Sequence, residues 1–213
     1  MTGLRAVVFD LDGVLMESTP FHAQAYGEVL AAAGVMNFSY ARFAGMRTRE
    51  VMAIIGVERG MDWGEERLGE LSAAKTRRAL ELMRLNRPVV PGCEALVRRL
   101  AARYEVGLAS SASRENVAWF LETTGLGAVF GVVLTGSDVA EATPAPEIYI
   151  RAMEALGGGE VLVVEDAVAG VLAGRAAGAR VWGVLTSSAE VDLVEAGAER
   201  CFANLGELGE ALV

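Results

Sequence analysis

Short apolar runs recur along the chain at residues 6–9, 106–109, 132–135, 161–164 and 181–185. β-Branched and aromatic residues fill them, and turn residues or acids close them. That is the pattern of strands buried on both faces. Between the later runs, residues 93–103, 114–124, 146–156 and 167–177 carry apolar positions three and four apart, which predicts helices. Strand and helix therefore alternate, as in a parallel α/β sheet with helices on both faces and right-handed crossovers.

Residues 17–87 break the alternation, because they hold several helical stretches and no convincing strand. The first predicted helix has Ser18 or Thr19 as N-cap, Pro20 in its first turn, Phe21, Ala25, Val29 and Ala33 as its apolar stripe, and Gly34 as its stop. A second begins near Thr48 and a longer one covers 65–85. Pro88 and Pro91-Gly92 mark the return to the sheet. The expected organisation is a core domain of residues 1–16 and 88–213 with an inserted helical domain at 17–87.

Composition narrows the function. The 213 residues are 53% hydrophobic and 22% charged, and no apolar run approaches the length of a membrane span. A net charge of -9 opposes long-range attraction to nucleic acid or an anionic membrane, so any anionic ligand must be drawn in by a local site. Only Cys93 and Cys201 occur, and Met1 to Arg5 show no basic segment leading into an apolar stretch. A reducing cytoplasm is the expected compartment, with both thiols inert. The oligomeric state stays open, the monomer being favoured.

Candidate chemistry gathers where the apolar runs end. Asp10 and Asp12 lie two apart, so on extended chain both carboxylates face one side, and Gly13 lets the backbone turn away. Such a pair at the carboxyl end of a first parallel strand suits a hard divalent cation and a division between acid and base. Glu165 and Asp166 end the fourth run, where they either join that cation or cap the next helix. Gly170, Gly174 and Gly178 on that helix are read as close packing against the sheet. The loop Ser110-Ser111-Ala112-Ser113 either binds a phosphate through hydroxyls and backbone N–H groups or caps the helix after it.

Taken in order, Phe9-Asp10-Leu11-Asp12-Gly13-Val14-Leu15, Ser110 after a strand, Pro144-Ala145-Pro146-Glu147-Ile148-Tyr149, and Val164-Glu165-Asp166-Ala167 resemble the haloacid dehalogenase superfamily. The branch indicated is that of β-phosphoglucomutase and phosphoglycolate phosphatase, and the likeness runs nearly end to end. It implies a doubly wound, Rossmann-like core with the helical insert as a mobile cap over Asp10. It implies Mg²⁺ held by Asp10, the carbonyl of Asp12, Glu165 and Asp166, with Asp10 forming an aspartyl-phosphate and Asp12 acting as acid and then base. Ser110 joins the catalytic set and Ser111 the substrate side.

In the insert, His22 falls where relatives carry a histidine, although a helix-surface residue near the hinge fits equally. Arg47 and Arg49 match a region that contacts a second anionic group, or are solvated charges. Lys75, the sole lysine, shares a stripe with Leu68, Leu71, Ala79 and Leu82. It either snorkels or aims into the cleft. One departure stands out: Thr143 occupies the position of the family's lysine before Pro-x-Pro. The expected function is a Mg²⁺-dependent phosphatase for a small phosphorylated metabolite, slowed by Thr143. The alternatives are a sugar-phosphate mutase and a phospho-ligand binding protein without turnover.

Overall fold

A computed structural model describes residues 3–212 of the chain; Met1 and Thr2, on which part of the leader expectation rests, and Val213 lie outside the described residues. Six parallel strands form one sheet: β1 (Leu4–Phe9), β2 (Glu105–Ala109), β3 (Val132–Leu134), β4 (Glu160–Glu165), β5 (Arg180–Val184) and β6 (Arg200–Phe202). Their order is β3-β2-β1-β4-β5-β6. The chain first winds outward from β1 to β3 and then returns across the sheet to start again at β4. This reversal opens a crevice at the carboxyl ends of β1 and β4, where Phe9 pairs with Val164 and the Asp10 N–H donates to the Val164 carbonyl at 3.0 Å.

Helices α4 (Cys93–Ala101), α5 (Arg114–Thr124) and α9 (Leu205–Leu212) cover one face. Leu96, Val97, Leu100, Val117, Phe120 and Leu208 pack there on Val7, Phe9, Leu108 and Leu162. Helices α6 (Glu147–Ala155), α7 (Val168–Ala176) and α8 (Glu190–Glu195) cover the other, burying Ile148, Tyr149, Ala152, Val171 and Leu193 against Ala6, Val8, Val161 and Val163. Strands walled on both sides explain the unbroken apolar runs.

The insert consists of α1 (Thr19–Ala32), α2 (Thr48–Glu58) and α3 (Glu65–Asn86), with a short 3₁₀ turn at Ala41–Phe43. Its own core holds Tyr26, Leu30, Phe43, Val51, Met52, Ile55, Leu68 and Leu71. The two chain crossings into it run side by side: the Glu17 N–H donates to the Pro88 carbonyl at 2.7 Å, and the Val90 N–H to the Leu15 carbonyl at 3.0 Å.

Three local expectations change. The buried face of α1 is His22, Ala25, Tyr26 and Leu30, rotated from the apolar stripe because that face must also serve a polar site. Ser18 sits at the N-cap position but makes no capping bond, its hydroxyl being spent on Asp12. Strand β6 and helices α8 and α9 lie beyond the expected elements. A three-residue strand carrying Arg200 and a six-residue helix are too short to show a period.

Candidate active site

Two loops deliver the acids. β1 ends at Phe9, and Asp10 follows at 9% exposure with its backbone locked to β4. β4 ends on Glu165, followed by Asp166, and both side chains are buried. One carboxylate oxygen from each of Asp10, Glu165 and Asp166 lies within 4.8 Å of the others. Burial, joined by repulsion from Glu165, Asp12 and Asp166, holds the Asp10 carboxyl well above its ordinary pKa. Burial and Glu165 push Asp166 to about 8. Such a cluster calls for positive charge or a shared proton.

The loops are shaped for these groups. Gly13 has φ +83°, and a Cβ there would fall inside the Asp166 carboxylate. A Cβ on Gly170 would likewise fall inside that of Glu165. Gly170 is therefore not a packing glycine like Gly174, whose missing Cβ would lie 2.9 Å from Val181 Cγ2 and 3.3 Å from Val163 Cγ1. Thr186, in the loop after β5, donates to the Gly13 carbonyl at 2.6 Å and lies 3.0 Å from Asp166 Oδ2. The Tyr149 hydroxyl donates to Glu165 Oε1 at 2.5 Å, while the N–H groups of Asp166 and Ala167 donate to Oε2 at 3.0 and 3.3 Å. An all-oxygen, anionic and sterically fixed donor set fits a hard divalent ion such as Mg²⁺.

Asp12 stands in a different setting. Burial alone would raise its pKa, but His22, the Ser18 hydroxyl at 2.5 Å and Lys75 together hold it at about 2. His22 Nε2 lies 3.1 Å from Asp12 Oδ1, off the line of a good hydrogen bond. On the ring's other side, Lys75 Nζ is 2.9 Å from His22 Nδ1 and 4.4 Å above the Tyr26 ring. Lys75 does not snorkel: it is 5% exposed, and burial lowers its pKa to about 8. A protonated ammonium has no acceptor, so Nδ1 accepts from Lys75 and Nε2 carries the hydrogen facing Asp12.

A cavity of about 40 Å³ brings together Asp10, Asp12, His22, Lys75, Ser110 and Ser111, with Tyr40, Met46, Thr48 and Asn116 also on its wall. Ser110 is buried, and its Oγ accepts from the Ala112 N–H at 3.2 Å; Ser113 caps α5 through the Asn116 N–H. Three expected residues stand elsewhere. Thr143 donates to the Gly45 carbonyl at 2.7 Å and lies 3.3 Å from Ser111 Oγ. Arg47 forks onto the carbonyls of Val139 and Ala140 at 2.7 and 2.8 Å, binding insert to core. Arg49 is exposed and pairs with Glu65. The sequence reading missed Tyr149 as a polar partner, Thr186 and Asn116. The only local signal was Tyr149's place in the Pro-x-Pro-Glu-Ile-Tyr segment.

A six-stranded parallel sheet with acids at its switch point and a helical insert between its first two strands is the arrangement expected of the haloacid dehalogenase type. The model of the haloacid dehalogenase-like hydrolase family matches residues 4–178, and the chain belongs to that family. It falls in the branch of β-phosphoglucomutase-like proteins and phosphatases. It is 33% identical over 199 residues to protein CbbY of Rhodobacter capsulatus, covering 87% of this chain and 86% of that one. With the phosphorylated carbohydrates phosphatase of Thermotoga maritima it shares 32% identity over 206 residues, covering 92% of both. A crystal structure of a CbbY mutant from Rhodobacter sphaeroides in complex with xylulose-(1,5)bisphosphate superposes with a TM-score of 0.83 at 27% identity, covering 97% of this chain and 96% of that one. Among the described residues no helix is long and apolar enough to cross a membrane.

Proposed function

We propose that the chain is a Mg²⁺-dependent phosphatase of a small phosphorylated metabolite of the sugar-phosphate kind, working through an aspartyl-phosphate on Asp10. The observation that carries this reading is the contrast between two neighbouring carboxylates. Asp10 shares one small space with Glu165 and Asp166, where a cation would keep it ionised as a nucleophile, while the Asp12 side chain turns to Ser18, His22 and Lys75, a chain along which a proton can reach it. Two carboxylates in such different settings mark a division of roles, the one on the metal side as nucleophile and the one on the proton chain as acid and base. The names of the relatives, a phosphorylated-carbohydrate phosphatase among them, support the substrate class.

Asp10, the Asp12 carbonyl, Glu165 and Asp166 would hold Mg²⁺, which when bound neutralises phosphoryl oxygens and lowers the repulsion against an anionic nucleophile. An Asp10 carboxylate oxygen attacks phosphorus in line as the bond to the leaving oxygen breaks. Asp12 gives that oxygen a proton, which His22 Nε2–H supplies, and Lys75 replenishes His22 through Nδ1. In the second half Asp12, ionised again, takes a proton from water. The water oxygen bonds to phosphorus, the Asp10–phosphorus bond breaks, and inorganic phosphate leaves. Ser110, Ser111 and Asn116 face the transferring group or the substrate from the core. Residues 17–87 form a cap that moves on residues 1–16 and 88–213. Arg47 and Thr143 act at the boundary between the two, and Arg49 is an exposed charge paired with Glu65 within the cap. The unbridged thiols Cys93 and Cys201 support a cytoplasmic site of action.

The tight cavity under a docked cap also favours a second reading, a sugar-phosphate mutase, since phosphoryl transfer to a second hydroxyl requires water to be excluded. Assays of sugar phosphates with Mg²⁺ separate the two. Released phosphate identifies the phosphatase, and isomerised sugar phosphate without release identifies the mutase. Asp10→Asn should abolish turnover with the fold intact, because an amide is no nucleophile. Activity within tenfold of the parent would overturn the mechanism.

A further inference from the structure

Tyr149 lies on the first turns of α6, is 1% exposed, and packs among Ala6, Val8, Ile148 and Val163 as a core residue should. Its hydroxyl, however, reaches the switch point and donates to Glu165 Oε1 at 2.5 Å. A carboxylate has about four lone-pair positions, two on each oxygen. The Asp166 and Ala167 N–H groups occupy both positions on Oε2. Tyr149 occupies one on Oε1, which leaves one free, and the carboxylate lies so close to Gly170 that no Cβ fits there.

We propose that Tyr149 is a positioning residue of the metal site, fixing Glu165 so that a single lone pair of Oε1 is all the carboxylate can offer a cation. Glu165 then acts in one way only, as a monodentate ligand or through one water. Bidentate binding is blocked because Oε2 is fully occupied. That restriction favours Mg²⁺, which takes six ligands in strict octahedral geometry and keeps several of them as water, over Ca²⁺, which accepts six to eight oxygens and chelating carboxylates. The inference rests on the metal site of the proposed function and adds a source of selectivity to it.

The test is calorimetric titration of the whole chain with MgCl₂ and, separately, CaCl₂, for the parent, Tyr149→Phe, Glu165→Gln and the double variant. Phe keeps the ring and its packing and removes only the hydroxyl. Losing a partner that orients a metal ligand costs about 10- to 100-fold in affinity. We expect Tyr149→Phe to weaken Mg²⁺ by about tenfold, near the lower end of that range, and Ca²⁺ by less, narrowing the preference between them. Because Tyr149 acts through Glu165, the double variant should bind Mg²⁺ no more weakly than Glu165→Gln alone, whereas a merely structural loss would add. This comparison holds even if Tyr149→Phe lowers the melting temperature. A parent that binds Mg²⁺ beside a Tyr149→Phe variant of equal affinity and preference would overturn the assignment alone, as would additive losses in the double variant. A parent that binds no Mg²⁺ would overturn the proposed chemistry and this assignment with it.

Discussion

Arg47→Ala tests whether the cap is held down by the protein itself. The Arg47 guanidinium forks onto two successive core carbonyls, Val139 at 2.7 Å and Ala140 at 2.8 Å, from a side chain 20% exposed. A hydrogen bond from a charged donor contributes about 1.5–3 kcal/mol, and partial exposure discounts the pair to roughly 2–3 kcal/mol in total. At 1.4 kcal/mol per tenfold, losing both shifts the docking equilibrium about 30- to 150-fold toward the open form. Hydrogen exchange of segments 44–48 and 139–143, measured without substrate, should accelerate by that order, because amides protected only by docking exchange in proportion to the open population. Arg47→Lys should fall between, since a single ammonium keeps the charge but not the planar fork. Exchange unchanged in Arg47→Ala, together with a raised KM for anionic substrates, would refute the latch and make Arg47 a substrate contact.

Gly170→Ala and Gly174→Ala each add a methyl to α7, with a helix-propensity gain of up to about 1 kcal/mol. At Gly174 the methyl meets Val181 and Val163, so the melting temperature should change and Mg²⁺ affinity should not; at Gly170 it displaces Glu165, and calorimetry should show Mg²⁺ affinity falling more than tenfold. Lys75, its pKa lowered to about 8, is charged below that pH and neutral above it. A plot of kcat/KM against pH should therefore fall on the alkaline side near 8, the limb moving upward in Lys75→Arg and vanishing in Lys75→Met. Thr143→Lys gives up the bond to the Gly45 carbonyl, worth about 1 kcal/mol, but brings a cation toward the acids, worth about 4 kcal/mol at 4 Å and an effective dielectric of 20. Steady-state assays on p-nitrophenyl phosphate should show kcat rising by about tenfold or more, and a fall would mean that the latch outweighs the charge.

The legible parts of this protein were those encoded by neighbours in sequence. Asp10 and Glu165 could be found because each ends an apolar strand, and Asp12-Gly13 because a turn must follow. Periodicity likewise revealed α5 at Arg114–Thr124, whose apolar Val117 and Phe120 are buried in the core. It misdirected the reading of α1, where Ser18, His22 and Tyr26 are buried to serve Asp12 and Lys75, because an apolar count treats a buried histidine as surface. Contacts across long separations leave no local trace. Thr186 meets Gly13 across 173 positions, and Arg47 meets Ala140 across 93. Gly170 was misread for the same reason: its spacing from Gly174 suggests one shared cause, whereas the two meet different neighbours.

The paired crossings at Leu15–Glu17 and Pro88–Val90 carry a consequence for how such a protein diversifies. Because the segment leaving the core and the segment returning to it are hydrogen-bonded to each other, the ends of the insert already lie side by side whatever stands between them. The entropic cost of closing a loop rises only slowly with its length. An insert of another size or shape could therefore be exchanged at this junction with little penalty to the sheet, leaving Asp10 and Asp12 where they are. The junction lets one part of the molecule be rebuilt while the other keeps its acids, so long as the rebuilt part again supplies Asp12 with a chain such as that of His22 and Lys75.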